Sequence, residues 1–376
     1  MGAPYLSLLD VLEKASVKPD ILKLGIVHPL PKELIADFLR RHDEIKVLEE
    51  LDDFLEQQVK ALAYDLGLST KIIGKKDTDD WMNEYTPDKV DSVLRKTWPD
   101  LLPPLKIDNG QKPELAPRPP QLCPGCGHRS AFYAVKLALA QEDITVAEIG
   151  CHTLGYLEPY NMGQVMLCMG HGAGTAAGLS LFNTTRRVVA FLGDSTFYHA
   201  ALPGIINAVF NQHNFTLIIM ENGTTAMTGH QNHPGVGYNF NGPSPKIPLR
   251  QVLEGLGVTS IREVDAYAQS KLLEATREAT AEAGFSVVIA KHPCMLKMMR
   301  ERKATGAPLP PKVDITDECD QSHTCISSFG CPTFQRDADG RIRIQEDLCI
   351  GDGSCKQTCP AKAIVHKARP SSKEGQ

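Results

Sequence analysis

The sequence predicts an α/β protein built around one parallel sheet, with a partial α/β segment before it and a small α+β domain after it. Three observations predict this. In residues 188–231, an apolar run, 188–192, breaks at Gly193-Asp194-Ser195; a helical stretch, 200–211, follows; a second apolar run, 215–220, ends in Glu221-Asn222-Gly223. That order is one βαβ unit, the connection parallel strands require. Helix and strand patterns alternate on both sides of this block. Finally, residues 317–366 hold six of the 11 cysteines in an internal repeat.

A chain of 376 residues can hold two or three domains and bury a large core. Hydrophobic content of 42% and charged content of 23% are those of a globular protein. A net charge of -5 argues against nucleic acid as the main partner. No apolar run approaches the roughly 18 residues of a membrane span. The amphipathic N-terminus has no basic leader, so no signal peptide is read and a cytoplasmic location is expected. Cysteines in that setting point to metal or redox use, not disulfides.

In order, residues 1–76 read as helix 5–15, strand 21–27, helix 31–41, strand 44–48, helix 52–66 and strand 71–74. Pro31 suits a helix start, and the acidic first turn of 52–66 complements the helix dipole. Residues 77–118 are charged, then Pro-rich, and read as an extended connection. The parallel-sheet domain spans 119–300. It opens with Cys123-Pro124-Gly125-Cys126-Gly127-His128 and a helix, 130–140. A strand, 145–149, ends in Gly150-Cys151-His152-Thr153, and Met169-Gly170-His171 leads into a small-residue helix. After 215–220, the Gly- and Asn-rich loop 223–241 is a candidate cover for the site. Strand 258–264, helix 266–283 and strand 286–290 follow, then Lys291-His292-Pro293-Cys294. Residues 301–316 read as a second linker, 317–366 as the cysteine-rich domain and 367–376 as a tail without structure.

Asp194 and Asn222 fall at the carboxyl ends of two strands joined by one crossover, the edge of an open parallel sheet where ligands sit. Their oxygens can meet on a hard cation such as Mg²⁺, which commonly holds a diphosphate as well.

This pattern resembles the thiamine diphosphate motif, in which an Asp, an Asn and a backbone carbonyl two residues on hold Mg²⁺. The matching positions are Asp194, Asn222 and Thr224. With Thr225-Ala226-Met227-Thr228-Gly229-His230-Gln231, the block is similar to the thiamine-binding large subunit of the 2-oxoacid:ferredoxin oxidoreductases, above all the indolepyruvate type. The resemblance implies cofactor contacts from Gly150, Cys151, His152, Thr153, Met169, Gly170, His171, Gly193, Asp194, Ser195, Asn222, Thr224, Thr225, Ala226, Met227 and Thr228. Residues 1–76 resemble the same family's transketolase C-terminal-like domain, notably in Leu22-Lys23-Leu24-Gly25 and Leu48-Glu49-Glu50-Leu51. The family's upstream pyrimidine-binding domain, with the glutamate that activates the cofactor, is not in this sequence. The gene is then split or the chain is one piece of a longer one. Inactivity alone and a partner subunit carrying that domain are expected, and a gamma-type subunit is a further candidate partner.

Cys123 and Cys126 form a C-x-x-C pair, which by itself suits zinc, a redox dithiol or nothing. The resemblance implies a [4Fe–4S] cluster on Cys123, Cys126, Cys151 and Cys294. Cys168 has no partner in this scheme and reads as a buried small hydrophobe. The C-terminal repeat departs from the bacterial ferredoxin run, in which the fourth cysteine of each copy serves the other cluster. Here the second cysteine of each copy is missing: Ser322 stands in one and Asp352 in the other. One cluster then takes Cys319, Cys325 and Cys359; the other takes Cys349, Cys355 and Cys331, with Asp352 a plausible oxygen ligand. Ser322 or His323 is a weaker one. Three thiolates suit a [3Fe–4S] cluster, or a [4Fe–4S] cluster with an oxygen ligand.

His128, His152 and His230 lie in loops expected to face the cofactor and can bind a carboxylate or relay a proton; Thr153 can donate a hydrogen bond. His128 and His152 are the expected catalytic pair. The implied reaction is oxidative decarboxylation of an aryl 2-oxoacid with coenzyme A, in an anaerobic cytoplasm, with electrons leaving through the clusters to ferredoxin. A non-redox thiamine decarboxylase or carboligase subunit, and an electron-transfer subunit with an empty thiamine site, are the alternative classes.

Overall fold

The computed structural model describes residues 2, 4–105, 115 and 119–368. The chain divides into two compact units, 1–115 and 116–376. The part of the expected first linker at 106–118 other than Leu115, and the tail beyond 368, lie outside the described residues.

The first unit contains α1 (Pro4–Leu12), α2 (Lys32–Arg40), β1 (Glu44–Lys46), α3 (Phe54–Asp65), β2 (Lys71–Ile73), a 3₁₀ turn at Thr78–Trp81, and α4 (Pro87–Thr97). β1 and β2 pair in parallel, Ile45 opposite Ile72. Glu49 is buried and its carboxylate accepts from Leu55 N–H (2.7 Å) and Glu56 N–H (2.8 Å), closing the start of α3. Two expectations fail here. Residues 21–27 join no sheet; Leu24 is buried among the helices while Ile26 is exposed, so the apolar pattern serves packing rather than pairing. The charged stretch from 77 is not an extended connection. Thr86 caps α4 by accepting from Lys89 N–H, Pro87 opens it, and Val90, Val93 and Leu94 bury against Val11 and Leu12. Its charges line the outer face, which hides the helical period when the segment is read by composition.

The second unit opens with α5 (Gly127–Ala138), β3 (Ile144–Val146), a 3₁₀ turn at Cys151–Tyr156, α6 (His171–Phe182) and β4 (Val188–Gly193). α7 (Asp194–Thr196) passes through a π turn, Phe197–Ala201, into α8 (Leu202–Phe210). Then come β5 (Thr216–Glu221), a hairpin of β6 (Tyr238–Asn239) and β7 (Gly242–Pro243), α9 (Leu249–Gly255), β8 (Ser260–Asp265), α10 (Gln269–Ala281), β9 (Ser286–Lys291) and α11 (Met295–Thr305). The sheet runs β3-β4-β5-β9-β8, every pair parallel. All six residues of β4 are buried, as a strand covered on both faces must be. Val189 and Phe191 face Phe132 of α5 and Leu272 of α10; Ala190 and Leu192 face Ala176 of α6 and Ile205 of α8. The result is a three-layer α/β/α domain. α11 runs through Thr305, where Gly306 (φ 67°) stops it, so the expected linker from 301 is partly helix.

The C-terminal segment has β10 (Val313–Ile315) paired antiparallel with β13 (Ile364–His366), and β11 (Phe334–Arg336) with β12 (Ile342–Ile344). Between them lie α12 (Thr324–Ser327) and a 3₁₀ turn, Ser354–Thr358. Its small core is made largely of cysteine with Phe329, Phe334 and Ile342. A core this thin needs an added constraint to be stable, and cluster ligation is one.

Candidate cofactor and cluster sites

The tips of β4 and β5 are adjacent, with Gly193 opposite Met220. Asp194 is 2% exposed. Its Oδ1 accepts from Ser195 N–H at 2.9 Å, and its Oδ2 from Asn222 N–H at 2.9 Å and Gly223 N–H at 2.7 Å. His233 Nε2 lies 3.2 Å from the same Oδ2. Among the described residues, no lysine or arginine pairs with this carboxylate. The Asn222 amide oxygen accepts from Thr224 N–H at 2.9 Å. Asp194 thus meets the backbone of the β5 tip, and the Asn222 side chain folds onto its own turn. Asp194 Oδ1 and Asn222 Oδ1, each with one N–H donor, keep an unused lone pair, while Asp194 Oδ2 is filled by two. Carboxylate, amide and the Thr224 carbonyl make an all-oxygen donor set, and a buried carboxylate with His233 but no lysine or arginine beside it suits a hard cation. Among the described residues, no three His, Cys, Asp or Glu side chains gather for one ion; a site completed by an amide and a carbonyl is of another kind.

Around this centre, Thr225 Oγ1 donates to Ser195 Oγ at 2.8 Å, and Ser195 Oγ lies 3.2 Å from His199 Nδ1. Thr225 pairs with Gln231 as an isolated bridge, closing the turn through Ala226, Met227 and Thr228. Thr228 Oγ1 donates to the Gln231 side chain. Met227 and Met169 are exposed. His171 is spent locally: its Nε2 accepts from Leu167 N–H, and its Nδ1 meets Thr175 Oγ1 at 3.0 Å.

Glu148 is a site residue that the pattern reading misses. Fully buried, it accepts from Ile149 N–H (2.9 Å), Gly170 N–H (3.0 Å) and Gly172 N–H (3.0 Å). It ties the start of α6 to the chain leaving β3, and β3 ends at Val146 rather than 149. A glutamate just past an apolar run, ahead of a Gly-x-Gly turn, was the available signal. Gly170, at φ 96°, abuts Ala200, so a side chain has no room there.

His128 and His152 come together, ring centroids 6.0 Å apart. Burial holds both neutral, pushing His128 down to about 4 and His152 to about 3. The His152 ring occupies the space left by Gly150 and Gly193, where added Cβ atoms would lie 2.5 and 3.0 Å from it. Its Nε2 has no partner, an unmet buried group at the site. His128 Nδ1 lies 3.4 Å from Cys126 Sγ. Thr153 is not free to donate to a ligand: its hydroxyl donates to the Glu148 carbonyl and accepts from Gly150 N–H. His230 Nδ1 is buried without a partner.

The cysteines fall into three groups. Burial raises every thiol below, and the neighbours named add to it. Cys123 feels Cys126 and Cys294. Cys151, pushed up to about 12, feels Cys126, Cys294 and Cys123. Cys325, also about 12, feels Cys319 and Cys359. Cys355 feels Asp352 most, then Cys331 and Cys349. The last two neighbourhoods contain cysteines that the crossed repeat groups together, and the first those the resemblance implies, although among the described residues no three gather on one ion. Thiols serving different irons of one cluster do not converge on a point, and bound iron reverses the preference for the protonated form. Asp352 Oδ1 accepts from Ser354 N–H at 2.9 Å and from Ser354 Oγ. Cys168 is exposed, not a buried hydrophobe, because it sits in the loop before α6 rather than on a packed face.

A three-layer parallel sheet with an acidic centre at two strand tips, joined to a cysteine-cored segment, defines a thiamine- and iron–sulfur-type α/β protein. Residues 148–290 match the family "Thiamine pyrophosphate enzyme, C-terminal TPP binding domain", and residues 342–365 the "4Fe-4S binding domain". Over 96% of its length the chain is 37% identical to indolepyruvate oxidoreductase subunit IorA of Methanothermobacter marburgensis and 34% identical to that of Archaeoglobus fulgidus. The chain is a homologue of these subunits and spans 58% of their length. Half of the chain also superposes on 70% of a chain of 2-oxoglutarate:ferredoxin oxidoreductase from Magnetococcus marinus, with a TM-score of 0.43 and 21% identity. No helix among the described residues is long and apolar enough to cross a membrane.

Proposed function

We propose that this chain is the thiamine diphosphate- and cluster-bearing part of an oxidoreductase that decarboxylates an aryl 2-oxoacid such as indolepyruvate, with coenzyme A as acyl acceptor and ferredoxin as electron acceptor. The observation that carries this is adjacency. The Asp194 centre and the Cys123/Cys126/Cys151/Cys294 group share one sheet edge: Cys294 N–H donates to the Asn222 carbonyl at 2.9 Å, and His128 lies by Cys126 and feels the Asp194 charge. Bound thiamine supplies the nucleophile for the 2-oxo carbon and a store for the electron pair left after CO₂ departs. Asp194, Asn222 and the Thr224 carbonyl would hold Mg²⁺, which would supply positive charge for the diphosphate. Glu148 and Gly170 shape the wall, and Gly193 lets His152 approach. Neutral His128 and His152 donate or accept single hydrogen bonds toward the substrate carboxylate without bringing a charge. The three cysteine groups would hold iron–sulfur clusters, with Asp352 the candidate oxygen ligand of the Cys349/Cys355/Cys331 set. A partner carrying the pyrimidine-binding half completes the site, in the cytoplasm of an anaerobe.

The test is anaerobic purification with the co-expressed partner, counting thiamine, iron and sulfide, with spectra before and after adding indolepyruvate and coenzyme A. Cluster reduction that needs both additions is expected. Full iron content with no thiamine bound would sink the enzymatic reading, and activity in an iron-free preparation would sink the redox one.

A further inference from the structure

Arg129 is 1% exposed, among the largest fully buried side chains of the chain. It follows the C-x-x-C-x-His stretch directly, yet no sequence pattern marks it. Its guanidinium is a permanent cation, and among the described residues no carboxylate lies within ion-pair reach of it. A buried cation without a counter-charge is costly and therefore rare.

Its acceptors are peptide carbonyls and one hydroxyl. Nη2 donates to the Leu122 carbonyl and, at 3.3 Å, to that of Cys123. Nη1 donates to the Gly330 carbonyl, to Phe329 at 3.3 Å and to the Tyr160 hydroxyl at 3.2 Å. Tyr160 in turn donates to the Phe329 carbonyl at 2.7 Å. One planar fork therefore grips the peptide of Cys123 on one side and the peptide before Cys331 on the other. These cysteines belong to different groups. The remaining donor, Nε, is buried and among the described residues has no acceptor, an unmet N–H on a buried cation.

Electrostatics agree with the geometry. Burial raises the thiols of Cys123, Cys126 and Cys331, and Arg129 is the largest influence that opposes it on each. Asp352 acts with the opposite sign on Cys126 and Cys331. Cys325, in the third group, feels burial, Cys319 and Cys359, but no arginine among its principal influences.

We infer that Arg129 is the shared counter-charge of two iron–sulfur clusters, the one on Cys123/Cys126/Cys151/Cys294 and the one on Cys349/Cys355/Cys331, and that it sets their reduction potentials together. The inference rests on the cluster assignment proposed above. A thiolate-ligated cluster gains negative charge on reduction, so a buried cation beside it favours the reduced form. Placed between two clusters, it raises both potentials and keeps them matched for electron passage. None of Arg129's hydrogen bonds reaches the peptides of Cys319, Cys325 or Cys359, so the third cluster serves as an internal control. Arg129 is a positioning residue: it touches the ligands' peptides, not the substrate.

The test uses the full chain purified anaerobically with its partner, as wild type, Arg129→Gln and Arg129→Lys. Iron and sulfide are counted, and each cluster's potential is followed by electron paramagnetic resonance during redox titration. In Arg129→Gln, electron affinity should fall about tenfold or more at two clusters, which is about 59 mV for a one-electron couple, and stay unchanged at the third. Arg129→Lys should restore it to within about threefold. Full iron with unmoved potentials in Arg129→Gln, or equal shifts at all three clusters, overturns the inference. If Arg129→Gln loses its iron, Arg129→Lys decides: iron and potentials retained support the charge, and iron lost in both assigns Arg129 to geometry alone. A wild-type protein that never holds iron overturns the cluster assignment instead, so the two failures are told apart.

Discussion

At the residue scale, the centre of the site is a carboxylate satisfied almost wholly by backbone. Asp194 collects the N–H groups of Ser195, Asn222 and Gly223. Replacing it with alanine leaves buried donors unmet, each costing roughly 1–3 kcal/mol. D194A is expected to lower the melting temperature and abolish thiamine retention on gel filtration; retention at wild-type level would remove Asp194 from the site. Glu148 makes the same argument one strand over. E148A should cost about 3 kcal/mol or more, since three N–H groups lose their acceptor, whereas E148Q, keeping one carbonyl oxygen, should cost less. Thermal unfolding of the pair measures the difference. Asp194 was legible from Gly-Asp ahead of a helix and Asn after the next strand. Glu148 was not, because its three partners come from its own neighbour and from a turn some twenty residues on, and spacing alone cannot reveal which turn a carboxylate will reach.

At the element scale, the inner strands β4, β5 and β9 were readable because burial on both faces demands uninterrupted apolar runs. Helix α4 was not, because only Val90, Val93 and Leu94 face inward and charges fill the rest. V90A should destabilise the first unit by about 2 kcal/mol through lost burial and a residual cavity. Proteolysis that clips first within residues 77–102 would report it, and an unchanged digestion pattern would count against the packing of α4 on α1. The loop between Cys123 and Cys126 offers a sharper probe. Gly125 sits at φ 67°, and a Cβ there would collide with Ile350 and approach Asp352 Oδ2 at 3.0 Å. Tyr267 OH donates to the Gly125 carbonyl at 2.6 Å. G125A should therefore loosen the C-terminal segment from the sheet domain. The expected readout is faster hydrogen exchange across residues 349–359, with the sheet itself unaffected.

At the scale of the whole second unit, the cysteine-rich segment is tied to the sheet domain by polar anchors beside the packing of Tyr133 on Phe329. Gln269 donates to the Ser354 carbonyl at 3.1 Å, and Gln357 to that of Tyr267 at 2.6 Å. Four of its cysteines are buried and stand in for the core it lacks. Chelation or oxidative loss of iron should accordingly expose residues 313–366 to protease while the five-stranded sheet persists. Equal loss of both would mean that the segment is held by packing and not by ligation.

What the sequence determined by itself was whatever repeats along the chain: strand and helix periods, the Gly-Asp to Asn interval, the doubled cysteine run. Each of these is local or carries its partner at a readable interval. Only the tertiary structure decided that Asp194 meets the β5 backbone instead of the Asn222 amide, that Glu148 anchors α6, and that Arg129 lies between two cysteine groups. A side chain's partner across space depends on where the backbone folds to, and linear order does not hold that information.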